Sequence, residues 1–106
     1  MAKTTVCALD EVPENGNRAF DVGGTRVLLA RTPLGLFAVG ATCSHQYQDL
    51  EGAKQKACFL FCPLHGMRFD LRTGTPAGTL TDQPIPTYRA GVANGEIWVD
   101  PEQPAT

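Results

Sequence analysis

Turn signals punctuate this chain, and no stretch between them carries the pattern of a helix. Gly23-Gly24, Pro33-Leu34-Gly35, Thr73-Gly74 and Asn94-Gly95 divide it into short apolar runs, and a 3.6-residue hydrophobic period is sustained nowhere. Gly23-Gly24 and Asn94-Gly95 have the form of two-residue hairpin turns, which need residues that tolerate positive φ. Strands are expected at 4–9, 19–22, 25–31, 36–39, 57–61, 67–71, 87–92 and 96–99. Short strands at that spacing predict an all-β fold, a small sandwich or barrel. One stretch, 44–56, breaks the rhythm, and long irregular stretches in small domains tend to be functional.

With 106 residues, 42% of them hydrophobic, the chain is expected to form a single domain over 1–106 with one modest core. Its net charge of −2 offers no basic field for nucleic acid and no polybasic segment for an anionic membrane. No apolar run approaches the roughly 18 residues of a spanning helix. The opening Met1-Ala2-Lys3-Thr4-Thr5 lacks the apolar stretch of a signal peptide, so a cytoplasmic protein is expected. Cysteines in that compartment are reduced or metal-bound rather than paired.

There are two histidines, and each stands beside a cysteine: Cys43-Ser44-His45 and Cys62-Pro63-Leu64-His65. Two thiolates and two imidazoles admit two metal readings. One is a tetrahedral structural zinc site. The other is a [2Fe–2S] centre with both sulfurs on one iron and both nitrogens on the other. Each segment supplies one Cys and one His, and neither looks helical. That interleaving suits a dinuclear cluster gripped between two loops.

Cys43-x-His45 with Cys62-Pro63-x-His65-Gly66 resembles the Rieske iron–sulfur signature. The resemblance continues through Phe69-Asp70-x-x-Thr73-Gly74, a proline-containing third loop over 76–86 and a closing hairpin over 88–99. It implies a small Rieske-type β-sandwich with a two-loop cluster-binding tip, the loops lying at about 43–48 and 62–67. It implies one [2Fe–2S] cluster held by Cys43, His45, Cys62 and His65. The chain's length is similar to that of soluble Rieske ferredoxins of bacterial aromatic ring-hydroxylating oxygenase systems. Such a protein carries one electron from a flavoprotein NAD(P)H-dependent reductase to a terminal Rieske non-heme iron oxygenase. It is not itself an enzyme: no His remains for an oxygenase iron site, and no Gly-rich nucleotide motif is visible. Two other classes stay open, a Rieske-like small subunit of a nitrite reductase and a zinc-binding interaction module.

Departures from the wider superfamily point the same way. Membrane-complex Rieske proteins carry an extra Cys in each loop; the matching positions here are Gln48 and Leu64. They also place a Ser and a Tyr where this chain has Met67 and Phe69. Without those hydroxyl donors the potential is expected low within the Rieske range. The family usually shows Leu-x-x-Gly after the first loop, whereas this chain has Leu50-Glu51-Gly52, so the path from 50 to 58 is not carried by the resemblance. Cys7 and Cys58 are expected to be buried structural thiols. Trp98 is expected to pack, Tyr47 to belong to the first loop, and Lys54 and Lys56 to mark a solvated edge. Pro63, Gly66 and Gly74 are expected to set loop geometry.

Overall fold

The computed structural model describes residues 3–42, 49–62, 68–77 and 84–101. Among these residues ten strands form: β1 (Thr4–Ala8), β2 (Asn17–Val22), β3 (Thr25–Thr32), β4 (Gly35–Gly40), β5 (Gln55–Lys56), β6 (Phe59–Phe61), β7 (Arg68–Asp70), β8 (Pro76–Ala77), β9 (Thr87–Ala93) and β10 (Glu96–Asp100). Among the described residues the only helical element is a 3-10 turn, Leu9–Glu11. A six-stranded antiparallel sheet runs β1-β10-β9-β4-β3-β2, and a four-stranded one runs β5-β6-β7-β8. The end strands β1 and β2 of the larger sheet approach each other, which curls it most of the way into a barrel.

The β3 sequence explains how the two sheets join. Val27, Leu28, Leu29 and Ala30 are all fully buried, so this strand has no solvent face. Val27 and Leu29 point into the curled sheet, against Val12, Val22, Ala38, Ile97 and Val99. Leu28 and Ala30 point the other way and pack with Val39, Leu50, Leu60, Phe69 and Ile85. A continuous apolar run is what burial on both faces requires. β3 and β4 are thus a shared wall, with the barrel interior on one side and the small sheet on the other.

Both expected hairpins form, with positive φ at Gly23 (59°), Gly24 (87°), Asn94 (54°) and Gly95 (77°). The strand expected over 57–61 begins only at Phe59, because Ala57 adopts φ 53° in a tight turn from β5. The 44–56 stretch is not irregular to its end: Asp49 bridges to Thr42, and Gln55 and Lys56 pair with Leu60 and Phe59. β5 is an edge strand, and Lys54 and Lys56 are exposed there, as expected of residues that discourage further pairing. Trp98 packs across Gly91, its cross-strand partner, where an added Cβ would meet the indole at 2.7 Å; Lys3 Nζ lies 4.2 Å from the ring centroid.

Candidate metal centre

Of the four expected ligands, Cys62 lies within the described residues; Cys43, His45 and His65 lie outside them, as do Tyr47, Gln48, Pro63, Leu64, Gly66 and Met67. What is on view is the frame from which the two ligand segments spring. The first is closed at its base by the antiparallel Thr42–Asp49 bridge, and the Leu50 amide donates to the Ala41 carbonyl at 2.7 Å. The second is closed by the Phe61–Arg68 pair of the β6–β7 ladder. The residues that flank 78–83 are placed as well: Ala77 pairs with Arg68 beside that pair, and Ile85 lies in the apolar cluster below.

All three bases rest on one apolar cluster. Ala41, Leu50, Leu60, Cys62, Phe69, Leu71 and Ile85 belong to it, and each is nearly or fully buried. Leu60, within β6, and Cys62, just past its end, belong to the same cluster, and Phe69 opposes Leu60 across the ladder. Cys62 is 2% exposed and follows directly on the last residue of β6, which brings it to this floor.

The turn after β7 gives a physical reason for the Phe69-Asp70-x-x-Thr73-Gly74 pattern. Phe69 fills the core. Asp70 Oδ1 accepts from the Arg72 amide (2.9 Å) and Nε (3.0 Å), and Oδ2 accepts from Arg72 Nη2 (2.8 Å). The hydrogen bonds from Arg72 hold the Asp70 carboxyl below its ordinary range. The Asp70 carbonyl accepts from the Gly74 amide, and the Gly74 carbonyl accepts from the Ile85 amide at 2.9 Å. Gly74 has φ 78°, and a Cβ there would sit 2.0 Å from the Ile85 carbonyl oxygen, so no other residue fits.

The remaining described cysteines do different work. Cys7 belongs to the barrel-side cluster, on the opposite side of the shared wall from Cys62. Burial raises its thiol pKa, and Glu11 adds to the shift, which keeps it protonated. Cys58 is 5% exposed at the turn into β6, where its carbonyl accepts from the Leu71 amide at 2.8 Å.

Sequence reasoning did not single out Asn17 or Arg26. Both reach the segment that leaves the first ligand loop, Asn17 through Gly52 and Ala53 and Arg26 through Asp49 and Glu51. A lone Asn at the head of a strand carries no pattern, and its partners lie 35 or more positions away.

Residues 2–89 match the Rieske [2Fe-2S] domain family. The 3-phenylpropionate/cinnamic acid dioxygenase ferredoxin subunit of Photorhabdus laumondii is 31% identical over 93% of this chain and 94% of its own. The solved ferredoxin of carbazole 1,9a-dioxygenase from Nocardioides aromaticivorans IC177 superposes with a TM-score of 0.85 at 32% identity, over 95% of this chain and 99% of that one. A chain from the complex of reduced oxygenase and oxidized ferredoxin in carbazole 1,9a-dioxygenase gives a TM-score of 0.82 at 26% identity, covering 92% of each. The chain therefore belongs to the Rieske [2Fe–2S] family, among the ferredoxins of aromatic-ring dioxygenase systems, and is an electron carrier built around one [2Fe–2S] cluster.

Proposed function

We propose that Cys43 and Cys62 bind one iron of the cluster and His45 and His65 the other, and that the protein passes single electrons from a flavin-containing NAD(P)H-dependent reductase to a terminal ring-hydroxylating oxygenase. The observation that carries this reading is the shared floor. The bases of both Cys/His segments rest on one buried apolar cluster, into which β6 delivers Cys62.

The donor set fits the group by charge. Two ferric ions, two sulfides and two thiolates sum to zero, whereas four thiolates would leave −2. A neutral core tolerates an apolar floor such as Leu50, Leu60 and Phe69 far better than a dianion would. When bound, the cluster takes up and releases one electron, with a more favourable potential than an all-cysteine centre. The protein's own part is to fix the ligand segments at their bases and to exclude water from beneath them. Phe69, fully buried, offers a ring and no hydroxyl to this environment, which supports a potential low in the Rieske range.

The single domain over 1–106 and a cytoplasmic setting belong to the same proposal. The oxygenase partner is supported by the oxygenase–ferredoxin complex to which this fold is similar. For the electron donor, the expected result is a dependence on a second protein. NADH alone leaves the visible spectrum oxidised, and a catalytic amount of a flavoprotein ferredoxin reductase bleaches it within seconds. Stopped-flow absorbance with and without reductase checks this. Direct reduction by NADH would mean that a nucleotide site has been overlooked.

A further inference from the structure

The stretch that leaves the first ligand segment is tied to the barrel by side chains. Asn17, on edge strand β2, is only 9% exposed, and its amide is fully committed to that stretch. Nδ2 donates to the Ala53 carbonyl (2.9 Å) and to Gln55 Oε1 (2.8 Å), while Oδ1 accepts from the Gly52 amide (2.6 Å). Gln55 Nε2 in turn donates to the Arg31 carbonyl at 2.9 Å. Nearer the rim, Glu51 Oε2 accepts from the Ala19 amide at 2.9 Å, and Arg26 Nη2 reaches Asp49 at 2.9 Å and Glu51 at 3.4 Å. The buried amide has every hydrogen satisfied within a low-dielectric site, where such bonds are strong and costly to lose.

These bonds form a continuous path to the base of the ligand segment. Asn17 holds Gly52 and Ala53; the Ala53 amide donates to the Leu50 carbonyl at 3.0 Å; the Leu50 amide donates to the Ala41 carbonyl; and the Thr42–Asp49 bridge closes the base. We propose that Asn17 is a positioning residue for the cluster: it clamps 49–55 against the barrel and so fixes the base from which the first ligand segment departs, beside the floor that carries Cys62, with Arg26 as a second, exposed hold. The inference rests on the assignment of Cys43 and His45 as ligands. A residue that serves only to cap the edge of β2 would contribute to global stability and nothing else, and the two roles separate experimentally.

The test is iron release from purified holoprotein to a ferrous chelator under anaerobic reduction, followed by visible absorbance, with thermal unfolding midpoints measured alongside. Each protein is assayed at the same interval below its own midpoint. Asn17→Ala should release iron about tenfold faster than the parent, the scale on which supporting residues alter metal retention. Ile97→Ala, which opens the barrel-side cluster, to which neither Asn17 nor 49–55 belongs, should match the parent under the same conditions. Equal acceleration in both variants, or none in Asn17→Ala, overturns the clamp. Should Asn17→Ala fail to fold, Arg26→Met decides: its pair is half exposed, so the fold survives, and faster iron release at an unchanged midpoint supports the clamp while an unchanged rate overturns it. A parent chain that holds no cluster sinks the ligand assignment as well, whereas equal rates from a cluster-bearing parent sink the clamp alone.

Discussion

Gly74→Ala should destabilise this protein by more than about 3 kcal/mol, because it combines two costs at a buried position. Left-handed backbone at φ 78° costs a non-glycine residue roughly 1 kcal/mol. The added Cβ would also meet the Ile85 carbonyl oxygen at 2.0 Å, and neither is the end of a flexible side chain that can swing away. Relief requires the 70–74 turn and the strand entering β9 to part, which breaks the Ile85–Gly74 hydrogen bond and lifts Ile85 from the floor beneath the ligand segments. The unfolding midpoint should fall by more than about 10 °C, with loss of bound iron. Gly24→Ala is the internal control. Its φ of 87° imposes the backbone cost, yet nothing lies within 4 Å of the new methyl. Thermal unfolding of the two variants side by side checks the account. Similar midpoints would mean that the close approach at Gly74 does not decide stability.

Cys62→Ser should abolish the cluster. Serine is a far weaker iron ligand than a thiolate, and the side chain is 2% exposed among Ala41, Leu50, Leu60 and Phe69, so no alternative donor from solvent takes its place. The loss should be visible as a colourless protein with iron reduced to a trace. Cys7→Ser and Cys58→Ser should keep the visible spectrum. Cys7 sits on the far side of the wall formed by β3 and β4, and a serine there buries a hydroxyl at a cost of about 1–2 kcal/mol without touching the ligand frame. Iron content and absorbance of the three variants are the measurement. A full spectrum in Cys62→Ser would remove Cys62 from the ligand set, and a bleached Cys7→Ser would mean that the two clusters are coupled through the wall.

Much of the fold was legible because its turns carry hard conformational demands. Gly23-Gly24 and Asn94-Gly95 stand at positive φ, so their residue types announced the hairpins. Alternation then placed β2, β3, β4, β9 and β10 to within two residues at each end. β5 and β8 escaped notice because two residues hold no period; they are strands only by virtue of their neighbours β6 and β7. Ala57 ended the expected strand over 57–61 early because its positive φ is imposed by the tertiary turn and is not signalled by an alanine. At the site, the paired Cys/His spacing named the chemistry, since ligand type and order are written in the chain itself. The supports were not legible. Asn17 and Arg26 reach the ligand frame only once β2 and β3 lie beside 49–55, and Gly74 is explained only by the approach of Ile85. The sequence also left a nitrite reductase small subunit open, and a relative more than 30% identical over nearly the whole chain, a dioxygenase ferredoxin subunit, favours the ferredoxin reading.

Metal and acid-labile sulfide analysis of the purified chain bears most directly on the central claim. Two irons and two labile sulfides per polypeptide, with no zinc, are the expected result for a [2Fe–2S] carrier with two Cys and two His ligands. One zinc and no sulfide would contradict it, leaving the same four residues as a tetrahedral structural site with no electron to carry.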